Sequence, residues 1–163
     1  MFFSVEYGIG KEVEPRFYNA ECATGTLLRA IRDDAVAAIG SQIDAKISEY
    51  KRETIRLEQE ILDQSAVASP KGAKGAKADP KVEEWKNELQ RMKTNLPKIE
   101  ELRPLIGKIT KVDLSFTDSP AGRLNLDFDS YALANTFFQP KCRTWLVGLV
   151  ADSTEGVILK WDL

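Results

Sequence analysis

The feature that most constrains the fold of this chain is a pair of apolar series with alternating spacings of three and four residues. The first series comprises Ile43, Ile47, Tyr50, Thr54, Leu57 and Ile61. The second series comprises Val82, Trp85, Leu89, Met92, Leu96 and Ile99. This spacing aligns the side chains along one stripe of a helix, as at the seam of a coiled coil. Two seams of matching length predict two helices that pack antiparallel, either within one chain or exchanged between two chains.

The ends of these two helices carry further signals. Residues 65–80, SAVASPKGAKGAKADP, consist mainly of small residues, proline and lysine, and predict a flexible linker between the seams. Asp79 is expected to cap the second helix, with Pro80 at its first position. Because a proline removes a backbone donor, Pro97 is expected to kink or interrupt this helix, and Pro104 to end it.

The two flanks of the chain follow a period of two, which is typical of strands. Strands are predicted at residues 3–7, 13–18, 112–116, 124–128 and 144–151, and residues 157–163 are predicted to form a last strand or a docked tail. A helix is expected to start near Thr24 or Thr26, either of which can cap it. It can continue into the first seam, with Gly40 as the weak point of that continuity. A short helical turn is expected at residues 129–138, before Pro140.

Without the middle of the chain, the element order is strand, strand, helix, strand, strand, helical turn and strand. This is the order of the ubiquitin-like β-grasp, in which the last strand enters the sheet centre parallel to the first strand. The run TWLVGLVA has the continuous apolar character of such a central strand. The sequence therefore predicts an α+β fold with a β-grasp head formed by residues 1–40 and 110–163. An antiparallel helical hairpin, a coiled coil, is inserted at residues 41–109.

A further set of residues in the flanks occurs in a characteristic order. It comprises the opening MFF, Phe17, residues 19–23 (NAECA), Leu27, Leu28, Ile31, Arg32, Val112, Asp113, Leu114, Gly122, Tyr131 and Ala132. In this order the residues resemble a small uncharacterised ubiquitin-like protein family of ciliated eukaryotes, with a human member encoded on the X chromosome as an unnamed open reading frame. The resemblance covers residues 1–38 and 110–151. It brings no catalytic residues, and it implies an association with cilia or flagella.

The residue types present exclude several kinds of active site. Histidine is absent from the 163 residues, and the two cysteines are Cys22 and Cys142. Ser-His-Asp and Cys-His nucleophile systems therefore cannot form, and two cysteines cannot supply the four ligands of a structural zinc site. We expect a protein that is not an enzyme and that uses no cofactor, metal or small-molecule substrate. Two free thiols in a chain of this length are typical of a reducing compartment.

Charge and hydropathy restrict the class of partner. The net charge is −2, whereas nucleic-acid-binding domains usually have an excess of basic residues. The amino-terminal residues lack the basic region of a signal peptide, and the longest apolar runs are too short to span a bilayer. We therefore expect a cytoplasmic protein that binds other proteins, and neither nucleic acid nor membranes.

Four residues are candidate contacts with a partner protein. Lys71, Lys74 and Lys77 recur at every third position of the predicted linker and are suited to an acidic partner. Trp161 lies in the terminal segment VILKWDL, which is apolar enough to pair with a sheet edge. That edge can belong to the same chain or to a partner.

These observations favour a non-catalytic structural or adaptor protein. Its head would recognise a partner through a sheet face or edge, and its coiled-coil arm would lie along another long protein. The family resemblance implies that this partner is a large axonemal assembly. The alternative is a cytoplasmic signalling adaptor whose ubiquitin-like domain binds a small GTPase. That role needs a basic second strand, for which Lys11 and Arg16 are the available residues.

Overall fold

The computed structural model of the chain describes residues 1–10, 13–67, 80–151 and 156–162. The chain divides into two compact units. The head comprises Met1–Ile43 and Arg103–Leu163, and the arm comprises Asp44–Leu102. Two long helices run through these ranges, α1 (Thr24–Val67) and α2 (Pro80–Gly107). Together with a mixed sheet in the head, they confirm the predicted α+β class.

The sheet of the head has the predicted strand at its centre. The strands are β1 (Phe2–Glu6), β2 (Gly8–Ile9), β3 (Arg16–Asn19), β4 (Ile109–Ser115), β5 (Arg143–Val150), β6 (Gly156–Ile158) and β7 (Lys160–Trp161). The main sheet has the order β3-β1-β5-β4, β6 also pairs with β5, and β2 and β7 form a separate pair. Strand β5 runs parallel to β1 and antiparallel to β4. The apolar run TWLVGLVA is therefore a central strand parallel to the first strand, as predicted.

The core of the head is built from one face of the sheet and the first half of α1. Strand β1 contributes Phe3 and Val5, which are fully buried, and the Phe3 ring stacks on Phe138 with centroids 4.2 Å apart. The helix contributes buried residues at helical spacing, namely Leu27, Leu28, Ile31, Ala35, Ile39 and Ile43. Burial of one large apolar side chain stabilises a fold by about 1.5–3 kcal/mol. The apolar stripe of α1 therefore fixes the rotation of this helix about its axis.

Helix α1 begins at Thr24 without a cap from the Thr24 hydroxyl, which instead donates a hydrogen bond to the carbonyl of Asp129. The first turn closes when the N–H groups of Thr26 and Leu27 donate to the carbonyl of Ala23, at 3.0 Å in both cases. The helix then continues without interruption through Gly40 and into the arm. The first helix and the first seam are therefore one element.

The strand predicted at residues 124–128 is wrong. Residues Leu126–Asp129 form a 3₁₀ turn, and Asn125 precedes it with a φ of 56°. A residue in this left-handed region reverses the chain direction, so an extended run cannot pass through it. The helical turn predicted at residues 129–138 is shorter than expected, because a 3₁₀ turn occupies Ala134–Thr136.

A buried carboxylate holds the segment that was predicted to be a strand. Asp113 is fully buried, and its Oδ1 accepts the backbone N–H groups of Leu114 at 2.8 Å and Leu126 at 3.2 Å. The guanidinium of Arg123 lies 3.7 Å from Asp113 Oδ2. These contacts hold Leu126 in the core. The segment around Leu126 is therefore a turn, although the alternation of its apolar residues had predicted a strand.

The two long helices extend further than predicted. Helix α2 begins at Pro80, as predicted, but it is continuous through Pro97 and Pro104 and ends at Gly107. Each proline removes one backbone hydrogen bond, and the burial of Ile99 between them helps to offset that loss. At the predicted linker, residues 65–67 belong to α1, and residues 68–79, including the predicted cap Asp79, lie outside the described residues.

The arm consists of the outer part of α1 and most of α2. The predicted seam side chains are buried or half-buried, and Tyr50, Leu57 and Ile99 are the most buried of those within the arm. Lys51 Nζ lies 3.1 Å from Glu100 Oε1, and Lys93 Nζ lies 2.6 Å from Glu58 Oε1. The second pair lies seven residues later in α1 and seven residues earlier in α2. The two helices therefore run antiparallel across these contacts.

Candidate partner-binding site

Strand β3 is at one edge of the main sheet, because the strand order begins β3-β1. Phe17 faces Ser4 across the ladder, and Arg16 faces Val5. The Ala20 N–H donates to the Met1 carbonyl at 2.8 Å, which makes these two residues a hydrogen-bonded pair. Hydrogen-bonded and non-hydrogen-bonded pairs alternate along an antiparallel ladder. The pair Ser4–Phe17 lies three positions from the pair Met1–Ala20, so it is a non-hydrogen-bonded pair. The backbone N–H and C=O groups of Phe17 therefore point away from β1.

Two phenylalanine side chains are exposed beside this edge. Phe17 is 71% exposed, and Phe2 is 62% exposed. Since Phe17 faces Ser4, and side chains alternate between the two faces of a sheet, both phenylalanines lie on the face opposite Phe3 and Val5. An exposed apolar pair beside an open strand edge is a common feature of surfaces that bind another chain.

A cleft of about 610 Å³ lies along the other side of β3. Segment 13–18 forms one wall, and the lining is completed by Tyr7, which lies between β1 and β2, by Ile9 of β2, and by Asp34 and Gln42 of α1. Its polar centre consists of the phenol groups of Tyr7 and Tyr18 and the carboxylate of Asp34, with the guanidinium of Arg16 beside them. We call this feature the Tyr–Asp cleft.

The polar groups of the Tyr–Asp cleft form a closed triangle. The hydroxyl of Tyr7 donates to Asp34 Oδ2 at 2.7 Å, the hydroxyl of Tyr18 reaches the same oxygen at 2.5 Å, and the two hydroxyls are 2.8 Å apart. Two hydroxyl protons serve these three contacts, and both phenols stabilise one negative charge. Tyr18 belongs to β3 and Tyr7 lies between β1 and β2, while α1 brings Asp34 to both tyrosines from the opposite wall.

The pKa values of these groups follow from the shared contacts. Burial raises the pKa of Tyr7 to about 12, and the hydrogen bond to Asp34 acts in the same direction. Burial and the bond to Asp34 also raise the pKa of Tyr18. For Asp34, burial alone would raise the pKa, but hydrogen bonds from Tyr18 and Tyr7, with the charge of Arg16, lower it below its usual value. Near neutral pH the cleft therefore holds one carboxylate between two neutral phenols.

Arg16 contacts both Asp34 and Tyr7 in the cleft. One guanidinium nitrogen lies 3.2 and 3.3 Å from the two carboxylate oxygens of Asp34, and the guanidinium carbon is 5.8 Å from the centroid of the Tyr7 ring. The side chain of Arg16 remains 48% exposed. Of the two basic residues considered for a GTPase surface, Arg16 thus pairs with Asp34, and Lys11 lies outside the described residues.

The carboxyl-terminal segment containing Trp161 pairs with its own chain. Strand β6 pairs antiparallel with β5, and β7 pairs parallel with β2, with Ile9 opposite Trp161. The buried Leu159 between them donates its N–H to the carbonyl of Leu146 at 2.9 Å. Trp161 itself is half-buried, and its role as a contact for a partner stays a prediction.

The buried carboxylate of Glu6 fastens the same segment. Glu6 is 1% exposed, and Lys160 Nζ lies 3.0 Å from its Oε2, while Arg143 pairs with its Oε1. One buried anion thus joins β1, β5 and β7. The other three candidate residues, Lys71, Lys74 and Lys77, lie outside the described residues.

The two cysteines are free thiols in separate surroundings. Cys142 lines a second, smaller cleft of about 330 Å³ together with Phe116, Phe137 and Gln139. Burial raises the pKa of the Cys142 thiol, which lowers its reactivity as a nucleophile near neutral pH. Within the described ranges, there is no group of three or more cysteine, aspartate or glutamate side chains placed to hold a metal ion.

Sequence reasoning missed the Tyr–Asp cleft. It considered Arg16 only as a basic strand residue, and it assigned no role to Tyr7, Tyr18 or Asp34. A signal was available, because Tyr7 and Tyr18 end the two strands that were predicted to pair. Asp34 sits beside Ala35 at the margin of the apolar stripe of α1, where a carboxylate can be drawn toward a partner in the sheet.

A scan against models of known protein families and searches of curated proteins and of solved structures found no match to this chain. No helix in the part of the chain that the structure describes is sufficiently long and apolar to cross a membrane. The geometry of the head and the arm is therefore the basis for a functional assignment.

Proposed function

We propose that this protein is a non-catalytic adaptor that binds an extended segment of a partner protein along β3. The observation that carries the proposal is the position of this strand at the edge of the sheet formed by the described residues, with Phe17 71% exposed beside it. An added strand gains affinity from main-chain hydrogen bonds and specificity from pockets that accept alternate side chains. The outward backbone groups of Phe17 and the Tyr–Asp cleft offer these two features.

The arm supplies a second contact surface in this proposal. Ile55 is 69% exposed and Leu62 is 63% exposed, and their separation of seven residues places them on one side of α1. Charged and polar residues surround them on the arm. An isolated apolar pair in such a surface suits a lateral contact with another long protein, and it is too small to bury a whole additional helix.

We further propose that the partner is part of a ciliary or flagellar axoneme. The support is the resemblance of residues 1–38 and 110–151 to the ubiquitin-like family of ciliated eukaryotes. In the same proposal, the head is a β-grasp domain, and the paired helices of the arm are a coiled coil. The parallel pairing of β1 with the central strand β5 supports that description, although a 3₁₀ turn stands where the strand at residues 124–128 was expected.

Fractionation of a ciliated cell that expresses the tagged chain tests this function. We expect the wild-type chain to sediment with detergent-extracted axonemes and Phe17→Ser to be released. Tyr131→Ser is the matched control, because Tyr131 is 93% exposed on a different part of the head. Recovery of the wild-type chain only in the soluble fraction would contradict the axonemal proposal. Equal retention of Phe17→Ser would contradict the role of the β3 edge.

A further inference from the structure

The Tyr–Asp cleft has the chemistry of a cation-binding site. A carboxylate fixed by two phenol hydroxyls attracts a positive charge, and the face of a tyrosine ring attracts a cation as well. Among the described residues, the charged side chains that line the cleft are Glu14, Arg16 and Asp34, so this part of the lining has an excess of negative charge. The site already holds one cation of its own, the guanidinium of Arg16.

The contact made by Arg16 is of the kind that an incoming group can replace. A single guanidinium nitrogen reaches Asp34, at 3.2 and 3.3 Å, without the parallel two-nitrogen geometry of a strong arginine–carboxylate pair. Arg16 and Asp34 are 48% and 40% exposed. Exposed ion pairs contribute little to stability, so displacement of Arg16 costs the head little.

The position of the cleft beside β3 determines which part of a partner can enter it. Arg16 and Tyr18 project on the cleft side of β3, whereas Phe17 projects on the other side. A strand added to β3 lies about 4.8 Å beyond it, and every second side chain of that strand faces the cleft. A long basic side chain at such a position can reach the carboxylate of Asp34.

We propose that the Tyr–Asp cleft binds an arginine or lysine side chain of a partner's extended segment, and that Arg16 occupies this position until the partner arrives. This inference rests on the proposed addition of a strand to β3 and names the chemistry of the added segment. The partner segment is basic at alternate positions. Its cation replaces Arg16 on the Asp34 carboxylate and on the Tyr7 ring.

Isothermal titration of the full chain with short capped peptides tests the inference. The probe is an extended peptide in which arginine alternates with threonine, and the matched peptides carry citrulline or glutamate in place of arginine. Citrulline keeps the shape of arginine and lacks its charge. We expect saturable binding of the arginine peptide and about ten-fold or weaker binding of the citrulline peptide. No binding of the arginine peptide at millimolar concentration, or tighter binding of the glutamate peptide, overturns the proposal.

Two variants of the chain separate displacement of Arg16 from simple attraction. Asp34→Asn removes the negative charge of the cleft, and we expect it to weaken binding of the arginine peptide by about ten-fold. Arg16→Gln removes the resident cation, and we expect up to about five-fold tighter binding. Circular dichroism checks that both variants are folded. If Arg16→Gln binds the arginine peptide more weakly than the wild type, the placeholder role of Arg16 is wrong.

Failure of this inference is distinguishable from failure of the proposed function. If Phe17→Ser is released from axonemes but the arginine and citrulline peptides bind equally well, the β3 edge is a partner site and the partner segment needs no positive charge. The proposed function then stands, and the proposed cation site is wrong. If the chain binds the arginine peptide tightly but never sediments with axonemes, the cation site is supported and the axonemal partner is contradicted.

Discussion

The head buries two carboxylates, whereas the arm has exposed ion pairs. In the head, Glu6 and Asp113 are almost fully buried, and each has more than one partner. In the arm, the ion pairs are exposed, and an example is Lys93 with Glu58, whose side chains are 49% and 46% exposed. A buried carboxylate is costly without its partners, whereas an exposed pair is nearly replaceable by water. The head therefore depends on individual polar residues, and the arm depends on its repeated apolar seam.

The largest expected effect of a single polar substitution is at Asp113. Asp113→Ala leaves the buried N–H groups of Leu114 and Leu126 without their acceptor, and we expect a loss of about 2–4 kcal/mol in the free energy of unfolding. Asp113→Asn is the matched control, because its side-chain oxygen can still accept both bonds. Urea unfolding followed by circular dichroism measures the difference. Equal losses for the two variants would show that the acceptor oxygen is unimportant.

The next effect is a loss of stability at high pH that belongs to the head. The folded pKa of Tyr7 is about 12, above its unfolded value near 10, so folding favours the protonated phenol. The stabilisation is complete below pH 10 and is lost as the pH rises toward 12, with a size of the order of 2–3 kcal/mol. The groups that face Tyr7 are Tyr18, Asp34 and Arg16. Chemical unfolding at several pH values measures the slope, and Tyr7→Phe is expected to reduce it.

A smaller effect is expected where the carboxyl-terminal segment is fastened. Lys160→Met removes the contact with Glu6 at 3.0 Å, while Arg143 continues to pair with that carboxylate. We expect a loss of about 1.5–2 kcal/mol, at the low end of the usual contribution of a hydrogen bond to a charged group, because Arg143 still pairs with the carboxylate. Amide hydrogen exchange at Leu159 should accelerate more than exchange at Leu114. Uniform acceleration across the head would argue against a local role for Lys160.

The smallest effect is expected in the arm. Glu58→Ala removes the exposed pair with Lys93, and we expect less than about 0.5 kcal/mol at moderate salt. The exchange of charges in the double variant Glu58→Lys, Lys93→Glu should return the stability to within error of the wild type. If Glu58→Ala lowered the free energy of unfolding by several kcal/mol, the exposed ion pairs of the arm would be as important for stability as the buried carboxylates of the head.

Sequence periodicity predicted the elements whose formation depends on one repeating pattern. The two seams predicted the two helices, because residues buried along one side of a helix recur at a regular spacing. The continuous apolar run TWLVGLVA predicted the central strand, because a strand in a parallel sheet is buried on both faces. Pro97 does not interrupt α2 and Pro104 does not end it, because the rule for a single proline ignores the packing of neighbouring turns. Pro97 and Pro104 flank the buried Ile99, and the helix continues through both.

The elements that depend on contacts between distant residues were not predictable in the same way. The turn at Leu126–Asp129 requires the left-handed Asn125 and the carboxylate of Asp113, thirteen positions before Leu126. The Tyr–Asp cleft requires that Tyr7, Tyr18 and Asp34 meet. Local spacing carries no information on such a meeting, since it depends on how α1 packs on the sheet.

The pairing of β1 with β5 has a consequence for the order in which the chain folds. The Thr144 hydroxyl donates to the carbonyl of Ser4 across 140 positions of sequence, so the head cannot close until residue 144 has left the ribosome. The arm has contacts of shorter range and can form earlier. Once formed, it shortens the effective loop between β3 and β4, and so lowers the entropy cost of bringing the two halves of the head together. The arm is then a folding aid, and its removal should slow folding of the head.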